Sequence, residues 1–332
     1  MSPIKTLVLG YGLSAKVFHL PFLLENPQFE VVAVLTSQPL LAEHAARGVR
    51  AVTEFDAAFS TDIQLVVVTT PNQTHADFAI RALRRGCHVV VEKPLCVDSA
   101  TAYQLADLAN QQQRLLVPFF NRRFDDDFLS LRHWLSTQAE PVLLFESRYD
   151  RFRPQAQSRW KENADVGSGV LFDLAPHLID QMLQLFGMPQ AVTASIRTLR
   201  PSSVCTDYFQ LQCHYPQFEA VLSSSPVQPR IASRFDVQTL AASWSSQGFD
   251  PQEDQLRFGR YSEKPRQAVV TTAKESHPLP MYQGDYGQFY QQLACALVQG
   301  GEPPSTVQQA IDGLRVLEAA WQSQVQGKRV DL

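Results

Sequence analysis

Cysteine is scarce in this chain: Cys87, Cys96, Cys205, Cys213 and Cys295 are five residues in 332, with no C-x-x-C pair among them. An odd, scattered set fits reduced thiols better than a secreted disulfide framework, so a cytoplasmic location is expected. Long apolar runs are also missing. Nowhere do the roughly 18 consecutive apolar residues of a membrane span occur, and the opening MSPIKTLVLGYGLSAK interrupts its short apolar run with glycine and charge. Neither a membrane nor a targeting segment is expected. Charge of one sign is lacking: 29 Lys plus Arg stand against 33 Asp plus Glu, a formal net charge of -4. Without a basic field, nucleic acid and anionic lipid are not expected partners. There is no internal repeat, no low-complexity tract and no H-E-x-x-H, so no metal centre is expected.

With 45% hydrophobic and 19% charged residues, the composition is that of an ordinary globular protein, and 332 residues favour two domains. Residues Ile4 to Leu9, Val31 to Leu35, Leu65 to Thr69, His88 to Val91 and Leu115 to Phe119 are short Val-, Leu- and Ile-rich runs. They read as five strands buried on both faces. Helical stretches alternate with them: Ser14 to Leu24, Leu40 to Arg47, His75 to Arg85, closed by Gly86, and Thr101 to Gln111. This β-α-β-α rhythm predicts an α/β domain over residues 1–120, a Rossmann doubly wound parallel sheet with its ligand site at the carboxyl ends of the strands. From 121 to 332 the class shifts to α+β. A helix near Asp125 to Ser136 and an apolar helix near Val170 to Phe186 are followed by AVTASIRTL, YFQLQCHY, FEAVLSS, RFDVQTLAASW and QAVVTT. Those alternating segments predict a mainly antiparallel sheet with one face packed and one partly solvated. The polar stretch Ser245 to Glu263 reads as a surface loop. Two helices close the chain, near Asp285 to Val298 and from Ser305, the latter with Ser305 and Gln308 at capping-box spacing.

At the end of the first strand stands Gly10-Tyr11-Gly12-Leu13-Ser14-Ala15, a G-x-G-x-x-A fingerprint opening directly into a helix. The first glycine permits the tight turn, the second lets a pyrophosphate approach, and a small third residue allows helix and strand to pack. Alone the motif could be a glycine-rich turn; after strand one it predicts dinucleotide binding at the helix N-terminus. The acidic residue that would bind the adenosine ribose of NAD is absent from EVVAVLTSQP, which ends its strand in Thr36 and Ser37. Hydroxyls without a carboxylate favour NADP over NAD. Arg47 and Arg50 are the nearby candidates for a 2′-phosphate partner.

Two further motifs fall at strand ends: Thr70-Pro71-Asn72-Gln73-Thr74-His75 after the third strand read here and Glu92-Lys93-Pro94 after the fourth. Lys93 there either projects into the nicotinamide crevice or is a solvated strand-end lysine. Asp173 and His177, four apart in GSGVLFDLAPHLIDQMLQLFG, would share one helix face, although Pro176 complicates that helix. They read either as an acid–base pair or as a capping Asp with a half-buried His.

Together GYGLSA, TPNQTH, EKP, NRRFD and DLAPHLID, in this order, resemble the glucose-fructose oxidoreductase/inositol dehydrogenase (Gfo/Idh/MocA-type) family over nearly the whole chain. FHLPFL, FESRYDRFRP and GFDPQEDQLRFG resemble its bacterial branch that includes NADP-linked scyllo-inositol dehydrogenases. The resemblance implies an N-terminal Rossmann domain and a C-terminal domain on an open-faced sheet often used for dimerisation, hence a homodimer through that sheet. It implies Lys93, Asp173 and His177 as catalytic residues, with a cis peptide before Pro94. It places cofactor contacts at Thr70, Pro71, Asn72, His75, Glu92 and Asn121, beside Gly10, Gly12, Leu13, Ser14 and Ala15. The sequence departs from the family pattern at Ala15, in place of the third glycine, and at Ala175, between the catalytic pair. Arg122 and Trp160 are candidates for the substrate wall with Asn121, Asp173 and His177, a guanidinium and an indole suiting sugar hydroxyls and faces.

The function implied is reversible hydride transfer between a nicotinamide, NADP favoured, and a secondary alcohol of a cyclic polyol or sugar. The alternatives are reduction of another small carbonyl or dihydrodiol, and a non-catalytic dinucleotide sensor, which has no chemical reason to carry the Lys93, Asp173, His177 set.

Overall fold

A computed structural model describes residues 2–60, 62–156, 167–201, 203–230, 232–260 and 265–332. Packing divides the chain into two compact units. One comprises Met1–Asn121, Glu253–Gly259 and Tyr286–Ile311; the other comprises Arg122–Gln252, Arg260–Asp285 and Asp312–Leu332. Two later segments of the chain therefore belong with the first unit.

In the first unit β1 (Ile4–Leu9), β2 (Phe29–Leu35), β3 (Arg50–Val52), β4 (Leu65–Val68), β5 (His88–Glu92) and β6 (Leu116–Phe119) form one parallel sheet in the order β3-β2-β1-β4-β5-β6. Continuous apolar runs are what such a sheet requires: Leu65, Val66, Val67 and Val68 are all fully buried. The crossovers are α1 (Leu20–Glu25), α2 (Ala42–Ala46), α3 (His75–Arg84) and α4 (Ser99–Gln111). Asp98 caps α4, its Oδ1 accepting from the Thr101 amide at 2.7 Å. α3 ends as expected, Gly86 standing just beyond it at φ +74° with its amide on the Leu83 carbonyl.

Six strands are present where five runs are legible. β3 has three residues, sits at the sheet edge and is half-buried at best, so no apolar run marks it. The first helix is not uniform either. Residues Ala15–His19 wind as a π-helix before α1, one residue ahead of Pro21, whose missing amide cannot close an ordinary turn. The cap of the last helix is also displaced by one residue. Thr306 and Gln309 form the reciprocal pair, at 3.0 and 3.3 Å, whereas the Ser305 hydroxyl donates to the Pro118 carbonyl.

In the second unit, α5 (Asp126–Ser136) precedes β7 (Val142–Arg148), and α6 (Gly169–Phe186) precedes β8 (Ala191–Arg197), β9 (Tyr208–His214) and β10 (Glu219–Ser224). There follow β11 (Ser233–Thr239), β12 (Ala242–Gln247), β13 (Gln267–Thr272), β14 (Ser276–Pro280) and finally β15 (Val330–Asp331). They pair as β14-β13-β12-β11-β7-β10-β9-β8-β15, antiparallel except for β7 beside β10. Phe145, Phe209, Leu211, Leu222, Phe235, Val237 and Trp244 alternate inward and form the core with α6. The opposite face keeps Gln210 and Gln212 exposed, the one-sided burial expected of such a sheet.

The stretch read as a loop from Ser245 is a correction: it holds the end of β12 and α7 (Gln252–Phe258). RFDVQTLAASW is two strands, β11 and β12, turned at the exposed Leu240. β14, SHPLP, escapes a propensity reading because it carries two prolines, which an edge strand tolerates. The closing helices are α8 (Gly287–Gln299) and α9 (Val307–Gln326). No helix of the described residues is long and apolar enough to cross a membrane.

Candidate functional site

β1 ends in a turn that only glycine fits. Gly10 has φ +97°, and a Cβ there would stand 2.9 Å from Thr69 Oγ1 and 3.0 Å from the Thr69 carbonyl oxygen. Thr69 is itself fixed, its amide and hydroxyl donating to the Leu9 carbonyl at 2.8 and 2.9 Å. The ends of β1 and β4, where the strand order switches, thus meet with no room for a side chain between them. Gly12 is the opposite case. A Cβ there would meet nothing within 4 Å, so the chain is open on the side where a pyrophosphate would come. Ala15 is fully buried, the small third residue packing helix on sheet, and Leu13 is exposed. The residues present therefore fit a dinucleotide at this turn.

Against the turn lies a part-buried charge. Glu92, at the end of β5, accepts at Oε1 from the Ser14 hydroxyl and from His19 Nε2 at 3.2 Å, and at Oε2 from the Lys93 amide at 3.1 Å. Burial pushes its carboxyl up, but the His19 hydrogen bond and charge, the Lys93 charge and the Ser14 hydrogen bond outweigh that and hold it at about 2. His19 reaches Glu92 from the π-wound turn, and its Nδ1 lies 2.6 Å from the Tyr290 hydroxyl of α8. Burial, aided by the Glu92 charge, raises the Tyr290 hydroxyl well above its usual range, so it keeps its proton.

The two other strand-end loops are tied to each other. His75 is buried, with Nε2 2.8 Å from the Thr70 carbonyl and Nδ1 2.8 Å from the Pro94 carbonyl. Burial lowers its pKa despite both carbonyls, and a neutral ring donates to only one of them at a time. Thr74 braces the same loop, its hydroxyl 2.7 Å from both Thr70 Oγ1 and the Pro71 carbonyl. Pro71 is exposed and Asn72 half-buried; Lys93 is half-buried ahead of a cis peptide to Pro94. Asn121, after β6, is buried.

At the end of β2, Thr36 is half-buried, its hydroxyl accepting from the Gln38 amide at 2.9 Å, and Ser37 is exposed. Arg47 is committed elsewhere, to the Leu24 carbonyl at 2.8 Å and Glu25 at 2.5 Å, while Arg50 is exposed on β3.

In the second unit α6 opens at Gly169, φ +85°, where a Cβ would lie 2.6 Å from Thr206 Oγ1. The Val170 amide donates to the Thr206 carbonyl at 2.8 Å, pinning the helix start. The helix runs unbroken through Pro176, and its pitch places half-buried Asp173 and buried His177 on one face. The same face continues to groups that sequence reading missed. Asp180 binds Arg123 in a buried bidentate pair at 2.6 and 2.9 Å. Gln181 donates to the Arg122 carbonyl at 2.8 Å and accepts from Arg234 at 2.6 Å. Their spacing of three and four residues from His177 is the only signal that could have found them. Arg122 is buried, its Nη1 3.3 Å from Asp125 and its guanidinium 5.1 Å from the Tyr149 ring centroid. Trp160 lies outside the described residues. His19, a turn beyond the fingerprint, also went unread, because its partners come from β5 and α8.

A parallel sheet with a glycine turn open at its switch point, in a chain that also carries a separate unit built on a mainly antiparallel sheet, defines a dinucleotide-binding oxidoreductase architecture. Comparison makes this specific: residues 4–120 match the Gfo/Idh/MocA oxidoreductase family NAD-binding Rossmann fold, and residues 138–332 match its C-terminal alpha/beta domain. The chain belongs to the Gfo/Idh/MocA family of NAD(P)-dependent oxidoreductases. It is 32% identical to scyllo-inositol 2-dehydrogenase (NADP(+)) of Bacillus subtilis, covering 99% of this chain and 96% of that protein. It is 36% identical to the uncharacterised oxidoreductase YdgJ of Escherichia coli, over 95% of each chain. The solved structure of the oxidoreductase yvaA from Bacillus subtilis superposes with a TM-score of 0.92 at 32% identity, covering 99% of this chain and 98% of that one.

Proposed function

We propose that this oxidoreductase transfers hydride reversibly between NADP, in preference to NAD, and a secondary alcohol of a cyclic polyol or sugar. The observation that carries the cofactor half is the turn at Gly10 and Gly12, closed on Thr69 and open at its second glycine. The likeness to an NADP-linked scyllo-inositol dehydrogenase along almost the whole chain supports the substrate class. The NADP preference rests on the exposed Ser37, half-buried Thr36 and absence of a carboxylate in the TSQP strand end.

Gly10, Gly12, Leu13, Ser14 and Ala15 would hold the pyrophosphate, Thr36 and Ser37 the adenosine side, and Thr70, Pro71, Asn72, His75, Glu92 and Asn121 the nicotinamide side. When bound, the nicotinamide supplies the hydride acceptor and donor. His177 takes the hydroxyl proton as general base, Lys93 steadies the same oxygen as charge develops, and Asp173 orients the imidazole or a neighbouring hydroxyl. Asn121, Arg122 and Trp160 complete the substrate contacts. The functional form is a cytoplasmic homodimer joined through the outer sheet face, an assignment supported by five free cysteines and by the one-sided burial of that sheet. Light scattering of the purified protein tests the dimer.

The test of the activity is absorbance of the reduced nicotinamide with inositols, inososes and aldoses. Turnover is expected with a cyclic polyol, faster with NADP, and reduced about 10²- to 10⁴-fold in His177→Ala and Lys93→Ala. Unchanged turnover in folded variants that still bind cofactor overturns the catalytic assignment.

A further inference from the structure

Where β7 ends, β11 begins and β12 ends, a cavity of about 320 Å³ is lined by Arg148, Arg151, Arg230 and Arg234, with Asp150 the one acidic residue among the described lining residues. Four guanidinium groups on one small cavity repel one another unless something offsets them. Arg148 has Glu146 at 2.6 Å. Arg234 is buried at 2% exposure, hydrogen-bonded to the Ser147 hydroxyl at 2.5 Å and Gln181 at 2.6 Å, and the nearby Asp127 and Asp125 charges offset it, so the cations left to an incoming anion are Arg151 and Arg230. Arg151 and Arg230 have no carboxylate within ion-pair distance among the described residues, and the Arg151 guanidinium lies 5.0 Å from the Tyr149 ring centroid.

The walls are built, not loose. The chain leaving β7 pairs with the segment after β10: the Arg151 amide donates to the Ser225 carbonyl at 2.9 Å, and the Gln228 amide returns to the Arg151 carbonyl at 3.2 Å. Asp150 spends one oxygen on the Ser225 amide at 2.8 Å. Tyr149 is stacked on Phe249 at 4.2 Å, and Phe249 forms an apolar wall of the cavity.

We propose that this cavity is a binding site for a small phosphomonoester, separate from the dinucleotide turn. A phosphate presents about two negative charges and three acceptor oxygens, matching two guanidinium forks, whereas a carboxylate offers one charge and two oxygens. The volume admits a small metabolite, and the aromatic wall suits the carbon face of a sugar or polyol. This inference uses none of Lys93, Asp173 and His177, although Arg234 reaches Gln181 one turn along α6 from His177.

The probes are inorganic phosphate and glucose 6-phosphate, with neutral glucose as control, titrated calorimetrically into the protein with and without saturating NADP. Binding of both phosphates at one site per chain, retained with NADP present and weakening with salt, is the expected result. Arg151→Ala with Arg230→Ala together should weaken it at least about tenfold, a loss of roughly 1.4 kcal/mol. The single charge reversal Arg230→Glu, at an exposed residue, gives the same test with little demand on folding. Phosphate binding abolished by NADP would assign the anion to the cofactor turn instead. That result, equal affinity for glucose, or undiminished binding in the variants overturns the proposal.

Discussion

His19 Nε2 donates to Glu92 Oε1 at 3.2 Å, joining the π-wound turn after β1 to the end of β5 against the dinucleotide fingerprint. A carboxylate so held, at about 2 against an ordinary 4.5, favours the folded state wherever the unfolded chain is also ionised. The difference corresponds to on the order of 3 kcal/mol. That contribution is complete above the unfolded value of 4.5 and disappears as pH falls through about 2. Glu92→Gln should therefore be less stable than wild type at pH 7, with the gap narrowing from pH 5 to pH 3 in urea unfolding. Parallel stability curves would refute the charge-based account.

Gly10 and Gly12 separate two demands that the fingerprint combines. Gly10→Ala meets both a positive φ of +97° and contacts of 2.9 to 3.1 Å with Thr69, so it should lose about 1–3 kcal/mol of stability together with cofactor affinity. Gly12→Ala meets nothing within 4 Å, so its melting temperature should stay near wild type while NADPH binding, followed by fluorescence, weakens. Equal destabilisation of the two variants would contradict this division.

Ser37 is exposed at the end of β2, where a carboxylate would confront a 2′-phosphate. Ser37→Asp should raise KM for NADP about tenfold, the effect of roughly 1.4 kcal/mol, with a smaller change for NAD. Steady-state kinetics with both cofactors decides it; an unchanged ratio would place the 2′-phosphate elsewhere.

Asp126 has the opposite sign to Glu92. Burial first, then Asp127 and Asp250, push its carboxyl up to about 8 in spite of Arg266 at 2.5 Å. Its proton favours the folded state fully below the unfolded value of 3.8, and that contribution is lost as pH rises through about 8. Asp126→Asn keeps an oxygen to accept from the Asp127 amide, now 2.6 Å away, and cannot ionise. Between pH 5 and pH 9 its stability should fall less steeply than wild type's, as measured by urea midpoints. A wild-type slope in the variant would show that another group titrates.

The sequence alone determined the parallel sheet, because strands buried on both faces must be apolar throughout, and it determined the Gly10 turn, because few residues other than glycine adopt that backbone. Local spacing likewise set Asp173 and His177 on one helix face. What only the tertiary structure decided were matters of partnership between distant segments. The short edge strand β3 has no apolar run of its own and exists through pairing with β2. His19 looks like any helical histidine until β5 brings Glu92 and α8 brings Tyr290, 73 and 271 residues away in the chain. Arg47, a plausible phosphate ligand in one dimension, is claimed by Glu25 in three. Periodicity and backbone preference are local quantities written residue by residue; the pairing of buried charges depends on which chain segments the core brings together, and no single segment encodes it.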